Sequence, residues 1–285
     1  MKRHKQYNFL DPQLVSEKLT EFFNEDNIEY DITTLATQGQ QQKVTGLFIA
    51  QEPLIFVGRE IILQGFSDCE IVNIQKEGAY LNVGDRIAQI TGTLHTILKK
   101  ERVVLNLLQH LSGIATTTHT ITAKIKQYNI ELLDTRKTTP GLRAFEKFAV
   151  SVGGGINHRF SLKDAILIKD NHLIGNPDII KAVELAKQQN PNKDIQVEVD
   201  TKEQVKEALD STATSILLDN FSPEELPDII QYIKSHKNGT DVYIELSGGI
   251  TAENIDKYCI KGINGISVGA LTHHVKSKDI NLDIK

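Results

Sequence analysis

Ser215-Ile216-Leu217-Leu218-Asp219 reads as a short buried strand that ends on a charge. Five further runs repeat the pattern: Glu131–Asp134, Ala165–Lys169, Gln196–Val199, Val242–Leu246 and Gly265–Val268. Segments of helical period lie between them: Pro177–Gln189, Lys202–Leu209, Pro223–Lys234 and Ala252–Ile260. Short apolar runs alternating with amphipathic helices predict βαβ units and six parallel strands. Parallel strands need crossover helices on the sheet faces, and repeated units can close into a barrel. The runs finish in Asp134-Thr135-Arg136-Lys137, Lys169-Asp170-Asn171-His172, Glu198 and Asp200, Asp219-Asn220, Ser247-Gly248-Gly249 and Gly269-Ala270. Strand interiors are thus read as apolar, and their C-terminal ends as charged or glycine. In a parallel α/β barrel that rim carries the site. An open doubly wound sheet also binds ligands at strand C-terminal ends and is the alternative. The barrel is the preferred reading.

The pattern differs upstream. Asp11-Pro12 opens a helix over 12–24, as N-cap and first-turn proline. Strand-like runs follow at Val44–Ala50, Leu54–Val57, Glu70–Ile74 and Arg86–Thr91, punctuated by Gly78, Gly84 and Gly92. Strands in succession with few helices between them predict an antiparallel sheet with helices beside it. Glu101–Lys126 reads as long helical material, with Leu105, Leu108, Leu111 and Ile114 at helical spacing and Gly113 as a possible break. The expected organisation is an α+β domain over 1–105 and a barrel domain over 106–285, with the tail 275–285 packing back on the first.

Composition narrows the function classes. The chain of 285 residues has 32 Lys and Arg against 37 Asp and Glu, a net charge of −5. A mildly acidic chain lacks the global basic field of a nucleic-acid binder. No apolar run approaches the ~18 residues of a membrane span. The basic start, Lys2, Arg3 and Lys5, is not followed by an apolar stretch, so no signal peptide is expected. Cys69 and Cys259 have neither CxxC partners nor metal-ligand spacing, and read as reduced structural thiols of a cytoplasmic protein.

Residues 131–172 stand apart electrostatically. They carry a net +2 inside a chain whose remainder is −7, and they add His158 and His172. A local cationic patch predicts a small polyanionic ligand, because arginine forks match carboxylate and phosphate while lysine supplies a point charge. Gly153-Gly154-Gly155 allows close backbone approach before Asn157-His158-Arg159, and is neither a Walker A loop nor GxGxxG. Ser247-Gly248-Gly249 and Val268-Gly269-Ala270 suit a phosphate cradle. Glu198 and Asp219 close neighbouring strands. They can hold ribose hydroxyls or a water-bridged Mg²⁺, or simply pair with Lys169 or Arg159. Lys169 is itself open to a second chemistry, as a Schiff-base nucleophile of a lyase.

The motifs Asp134-Thr135-Arg136-Lys137-Thr138-Thr139-Pro140-Gly141, Gly153-Gly154-Gly155-Ile156-Asn157-His158-Arg159 and Leu167-Ile168-Lys169-Asp170-Asn171-His172 closely resemble those of the quinolinate phosphoribosyltransferases. Glu101-Arg102-Val103-Val104-Leu105-Asn106 with Ser112-Gly113, and Ser267-Val268-Gly269-Ala270-Leu271-Thr272-His273, resemble the family's first and last motifs. Leu246 departs from it, where a smaller residue is expected.

The resemblance implies an N-terminal α+β sandwich joined to an irregular, incomplete TIM-like barrel in a homodimer or larger assembly. It implies quinolinate, phosphoribosyl pyrophosphate and Mg²⁺ as reactants and cofactor, and nicotinate mononucleotide, pyrophosphate and CO₂ as products on the route to NAD. Arg136, His158 and Arg159 would then grip the quinolinate carboxylates, with Arg102 arriving from the partner subunit. Lys137 and Lys169 would neutralise pyrophosphate, beside Thr135. Glu198 and Asp219 would hold the ribose and Mg²⁺, directly or through water. Ser247, Gly248, Gly249, Val268, Gly269, Ala270 and His273 would bind the 5′-phosphate. Lys137, Lys169, Glu198 and Asp219 make up the expected catalytic set. The rivals are a paralogue of the same fold acting on another substrate, the Lys169 lyase, and a non-catalytic anion-binding module.

Overall fold

Every apolar run between 131 and 268 forms a strand, since β-branched and leucine side chains with small or polar neighbours suit short buried strands. The computed structural model describes residues 4–37, 42–175 and 178–285. Lys2, Arg3 and the expected helix start Pro177 lie outside the described residues. The chain divides into two compact units. One consists of Thr120–Thr138, Gly155–His273 and the stretch ending at Gln6. The other consists of Tyr7–His119, Thr139–Gly154 and His274–Lys285. The border expected at 105/106 falls inside the helix Leu94–Ile125, and the units part at 119/120.

The second unit is built on an antiparallel sheet. Its strands are β1 (Lys43–Ala50), β2 (Leu54–Ile55), β3 (Glu70–Val72), β4 (Tyr80–Leu81) and β5 (Arg86–Thr93). β1 pairs with β5, β5 with β3, and β2 with β4 in a separate ribbon. The tail strand Ile280–Ile284 pairs antiparallel with β1, Gly46 opposite Ile284 and Ala50 opposite Ile280. The helix Pro12–Glu25 starts as read, with the Asp11 side chain accepting from the Gln13 N–H. Helix Leu94–Ile125 runs unbroken through Gly113. A Cβ at Gly113 would stand 2.4 Å from the Lys276 carbonyl oxygen. This glycine therefore admits the returning tail rather than ending the helix.

The first unit holds six parallel strands: β6 (Glu131–Leu133), β7 (Ile166–Ile168), β8 (Ile195–Val199), β9 (Ser215–Asp219), β10 (Tyr243–Ser247) and β11 (Gly265–Ser267). Their order is β6-β11-β10-β9-β8-β7. From β8 onward each strand pairs with its predecessor, and the first, β6, pairs with the last, β11. That is the circular order of a barrel with one closure missing, between β6 and β7. A doubly wound sheet reverses its order at a switch point, and no reversal occurs here. Ile156 partly fills the seam beside β6. It bridges Leu133, its N–H donates to Leu132 O at 2.8 Å and its carbonyl accepts from Asp134 N–H at 3.1 Å. Between β10 and β11 the expected helix Ala252–Ile260 reduces to a single 3₁₀ turn, Ile255–Tyr258.

Residues opposite one another in a parallel pair share a face. Gln196 faces Ser215, Glu198 faces Leu217, Leu217 faces Glu245, Asp219 faces Ser247, and Glu245 faces Gly265. One face of the sheet is therefore markedly polar. The other carries buried Val197, Ile216, Leu218, Ile244, Leu246 and Ile266, with helices Ile179–Gln189 and Lys202–Asp210 against β8. Leu246, the departure from the family pattern, is accommodated on this apolar face.

Candidate active site

The end of β6 organises the cationic patch. Asp134 is fully buried and accepts from the His158 N–H and from Asn157 Nδ2, each at 2.8 Å. This carboxylate stitches segment 155–159 onto the strand that leads to Arg136. Gln6 adds a second clamp, accepting from Asn157 N–H at 2.8 Å and donating to Asn157 O at 3.1 Å. The glycine run thus serves to bring Asn157-His158-Arg159 alongside β6.

Two guanidiniums meet there. Arg159 is buried, and its Nη1 donates to the Ala165 carbonyl at 2.9 Å. Burial and the like charge of Arg136 push its pKa below the ordinary value, while Asp164 and Glu198 act in the opposite sense. Asp164 is committed elsewhere, accepting from the Phe160 and Ser161 N–H groups at 2.9 and 2.8 Å. Arg136 Nε is buried and has no hydrogen-bond partner among the described residues. Neighbouring like charges and an orphaned buried donor together describe an anion site.

The next strands supply the acidic groups. Lys169, at the end of β7, is ion-paired with Glu198 of β8, the lysine side chain 41% exposed and the glutamate 15%. The Lys169 N–H also donates to His172 Nδ1 at 3.0 Å. At the end of β9, Asp219 accepts from the Ser247 hydroxyl and from Asn220 Nδ2 at 2.7 Å. Among the described residues no cluster of three or more His, Cys, Asp or Glu side chains could cage a metal. Glu198 and Asp219 instead suit Mg²⁺, which binds through one or two carboxylates while keeping water and substrate oxygens.

The glycine loops lie beyond β10 and β11. Gly248 and Gly249 have φ of +94° and +62°, and a Cβ at Gly248 would strike Asn220 Oδ1 at 2.2 Å. Asn254 Nδ2 donates to Gly249 O at 2.9 Å. Val268 continues from β11, its N–H donating to Leu133 O at 3.0 Å. Gly269 and Ala270 lead into the short helix Ala270–His273. A Cβ at Gly269 would lie 3.0 Å from Lys137 Cδ and 3.1 Å from His273 Nε2, so both side chains flank this backbone. Thr272 Oγ1 donates to Lys137 O at 2.7 Å, and Thr135 Oγ1 accepts from the Lys137 N–H at 3.0 Å. The unit thus gathers the expected residues from Thr135 to His273 at its strand ends. Arg102 belongs to the other unit and is exposed on helix Leu94–Ile125. A groove of roughly 400 Å³ lined by Leu19, Phe23, Tyr30 and Lys100 also lies in that other unit.

Strand interiors are not wholly apolar, contrary to expectation. Glu245 of β10 is fully buried and accepts from Gln196 Nε2 at 2.8 Å and from the Ser267 hydroxyl. Gln196 Oε1 in turn lies 3.2 Å from His158 Nε2. Burial opposes ionisation of Glu245. The facing His158, with hydrogen bonds from His158, Ser267 and Gln196, outweighs it and holds the carboxyl below its usual range. His158 was expected to grip substrate, but both its ring nitrogens are engaged here, since Nδ1 accepts from the Arg159 N–H at 2.8 Å. The alternation of Gln196 and Glu245 with apolar neighbours was the available signal, because residues two apart on a strand share a face.

Comparison with known proteins agrees with this geometry. The family model for the quinolinate phosphoribosyl transferase C-terminal domain matches residues 114–283, and that for the N-terminal domain matches residues 31–112. The chain belongs to the quinolinate phosphoribosyl transferase family. A Bacillus subtilis relative, a probable carboxylating nicotinate-nucleotide pyrophosphorylase, is 41% identical over 93% of this chain and 92% of its own length. The carboxylating nicotinate-nucleotide pyrophosphorylase of Mycobacterium leprae is 36% identical over 89% of this chain and 91% of its own. Among solved structures, nicotinate-nucleotide pyrophosphorylase from Francisella tularensis superposes with a TM-score of 0.91 at 34% identity, covering 99% of both chains. The family's fold, an N-terminal domain followed by a barrel-like α/β domain, is therefore the fold of this protein.

Proposed function

We infer that the protein is a quinolinate phosphoribosyltransferase, joining quinolinate to the phosphoribosyl group of phosphoribosyl pyrophosphate. Pyrophosphate and CO₂ leave, and nicotinate mononucleotide remains for NAD synthesis. The observation that carries this reading is the pairing of Arg136, with its unmatched buried Nε, and Arg159. Two guanidiniums of like charge, one with an unmatched buried donor, fit a ligand with two carboxylates on one ring.

The pyridine nitrogen attacks C1′ of the ribose as pyrophosphate departs through an oxocarbenium-like state. Loss of CO₂ then leaves a carbanion that the adjacent pyridinium stabilises until it takes a proton. The protein's work is positioning and charge stabilisation. Arg136 and Arg159 orient quinolinate, and His158 fixes Arg159 through its backbone. Lys137 and Lys169 receive the leaving pyrophosphate, with Thr135 beside them. Glu198 and Asp219 would hold the ribose and Mg²⁺, directly or through water. The metal would neutralise pyrophosphate as it leaves. Ser247, Gly248, Gly249, Val268, Gly269, Ala270 and His273 form the 5′-phosphate cradle. The Lys169 side chain is engaged in an ion pair with Glu198, which favours its electrostatic role over Schiff-base chemistry.

Exposed Arg102 is assigned to a neighbouring subunit's site in a homodimer. Mixing inactive R102A with inactive K169A subunits should then restore activity, and demonstrated heterodimers without recovery would refute a shared site. Cys69 and Cys259 are both free thiols, which suits residence in the reducing cytoplasm. No described helix is long and apolar enough to cross a membrane.

The primary test incubates the purified protein with quinolinate, phosphoribosyl pyrophosphate and Mg²⁺ and follows nicotinate mononucleotide and CO₂. Product dependent on all three establishes the activity. A folded sample that makes none would redirect the assignment to a paralogue using another anionic base.

A further inference from the structure

We propose that Glu245 is a positioning residue that sets the donor and acceptor direction of the chain Ser267–Glu245–Gln196–His158, and thereby fixes Arg159 for the dicarboxylate substrate. The proposal rests on the activity inferred above and deepens it.

The chain runs in one sense only. Glu245 is an acceptor at both oxygens, taking the Ser267 hydroxyl on Oε1 and Gln196 Nε2 on Oε2. The Gln196 amide is therefore turned so that its carbonyl meets His158 Nε2, 3.2 Å away. A carbonyl there requires the proton on Nε2. That leaves Nδ1 as the acceptor it must be for the Arg159 N–H, 2.8 Å away. The backbone of His158 is held independently by Asp134. Reversing the amide would set two donors against each other at Nε2 and strip Arg159 of its backbone anchor. The carboxylate thus acts on the arginine through Gln196 and His158, whose Nε2 also faces Glu245 Oε2 directly at 3.5 Å, without touching substrate.

Its place in the sheet extends the argument. Glu245 stands two residues before Ser247, and its partner Ser267 stands directly before Val268. The two strands that open into the phosphate loops therefore also anchor the arginine that meets the ring carboxylates. A buried carboxylate is a costly way to fill a core position unless its acceptor character is used.

The experiment exploits the chain's symmetry. Q196E puts a second carboxylate against Glu245, and two carboxylates in contact cannot both ionise. Adding E245Q exchanges acid and amide: His158 donates to Glu at 196, the amide at 245 donates to the same carboxylate, and Ser267 donates to the amide oxygen. Every donor again has an acceptor. Q196E should raise the quinolinate KM about tenfold or more, the scale of one orphaned buried donor, with the phosphoribosyl pyrophosphate KM little changed. The Q196E/E245Q double variant should return the quinolinate KM close to native. A double variant as impaired as Q196E, or a parallel rise in both KM values, would overturn the proposal and leave Glu245 a plain core residue. If Q196E fails to fold, ¹⁵N imidazole spectra of native protein and of E245Q decide instead. Native His158 should carry its proton on Nε2, and the opposite tautomer sinks the idea. Those spectra do not depend on turnover. An inactive native enzyme with the Nε2 tautomer would refute the activity and spare the network.

Discussion

Lys169 and Glu198 form an ion pair across the ends of adjacent strands β7 and β8, so each is held beside a group of opposite charge. The pair is partly exposed, and exposed ion pairs add little to stability. K169M should therefore leave the thermal midpoint almost unchanged while turnover falls at least about a hundredfold, since charge stabilisation in the transition state is lost. Differential scanning fluorimetry and initial rates at saturating substrate check the two halves. A large drop in melting temperature would instead make the pair structural.

Arg136 and Arg159 should behave in the opposite way. Arg136 opposes the charge of Arg159 and leaves its own buried Nε unmatched, so R136A should leave the ligand-free protein as stable as native or slightly more so. Quinolinate affinity should fall by about 3 kcal/mol, over a hundredfold, because charge-assisted hydrogen bonds are lost from a buried site. Isothermal titration gives the affinity and urea unfolding the stability. Unchanged quinolinate binding would remove Arg136 from the site.

Gly248 and Gly249 allow a paired test of backbone geometry. Both have positive φ, but only Gly248 has a neighbour, Asn220, where a Cβ would stand. G249A should cost about 1–2 kcal/mol, the ordinary penalty of a left-handed L-residue. G248A should cost distinctly more, because Asn220 backbone N, 2.7 Å from the added carbon, has to shift. Chemical denaturation of the two variants measures the difference, and equal costs would show that the loop relaxes freely.

Glu245 gives a pH dependence with a definite sign. Its folded-state pKa lies below the ordinary 4.5. Its ionisation therefore contributes stability above that value, and the contribution is lost as pH falls through the folded-state pKa. Native protein should lose stability on acidification below about pH 4.5, and E245Q should show a shallower loss over the same interval. Urea midpoints measured between neutral pH and pH 3 decide the point. Parallel curves would mean that the carboxyl is not preferentially ionised in the fold.

The parallel sheet was legible because each of its strands combines a short apolar run with a charged or glycine end, as at Ser215–Asp219. The strand-end residues, Arg136, Lys169, Glu198 and Asp219, were legible for the same reason. Helix Leu94–Ile125 was only half read. Gly113 suggests a break by its local preference, whereas its cause is the tail lying against it, a contact between distant parts of the chain. The 3₁₀ turn at Ile255–Tyr258 escaped because a short amphipathic window fits several helical forms. Gln196 and Glu245 escaped because one polar residue in an apolar run gives no sign of which face it takes until the neighbouring strands are in register. Of His158, the sequence shows a potential donor among cations, and only the fold reveals that both its nitrogens are already engaged.

The tail strand Ile280–Ile284 has a consequence for biosynthesis. It covers one side of β1, so the N-terminal sheet keeps a bare edge throughout synthesis of the whole parallel sheet. An unpaired β edge is a template for association with other chains. During translation the first-made strand must therefore wait, open to intermolecular pairing, until residues 280–284 emerge to cap it.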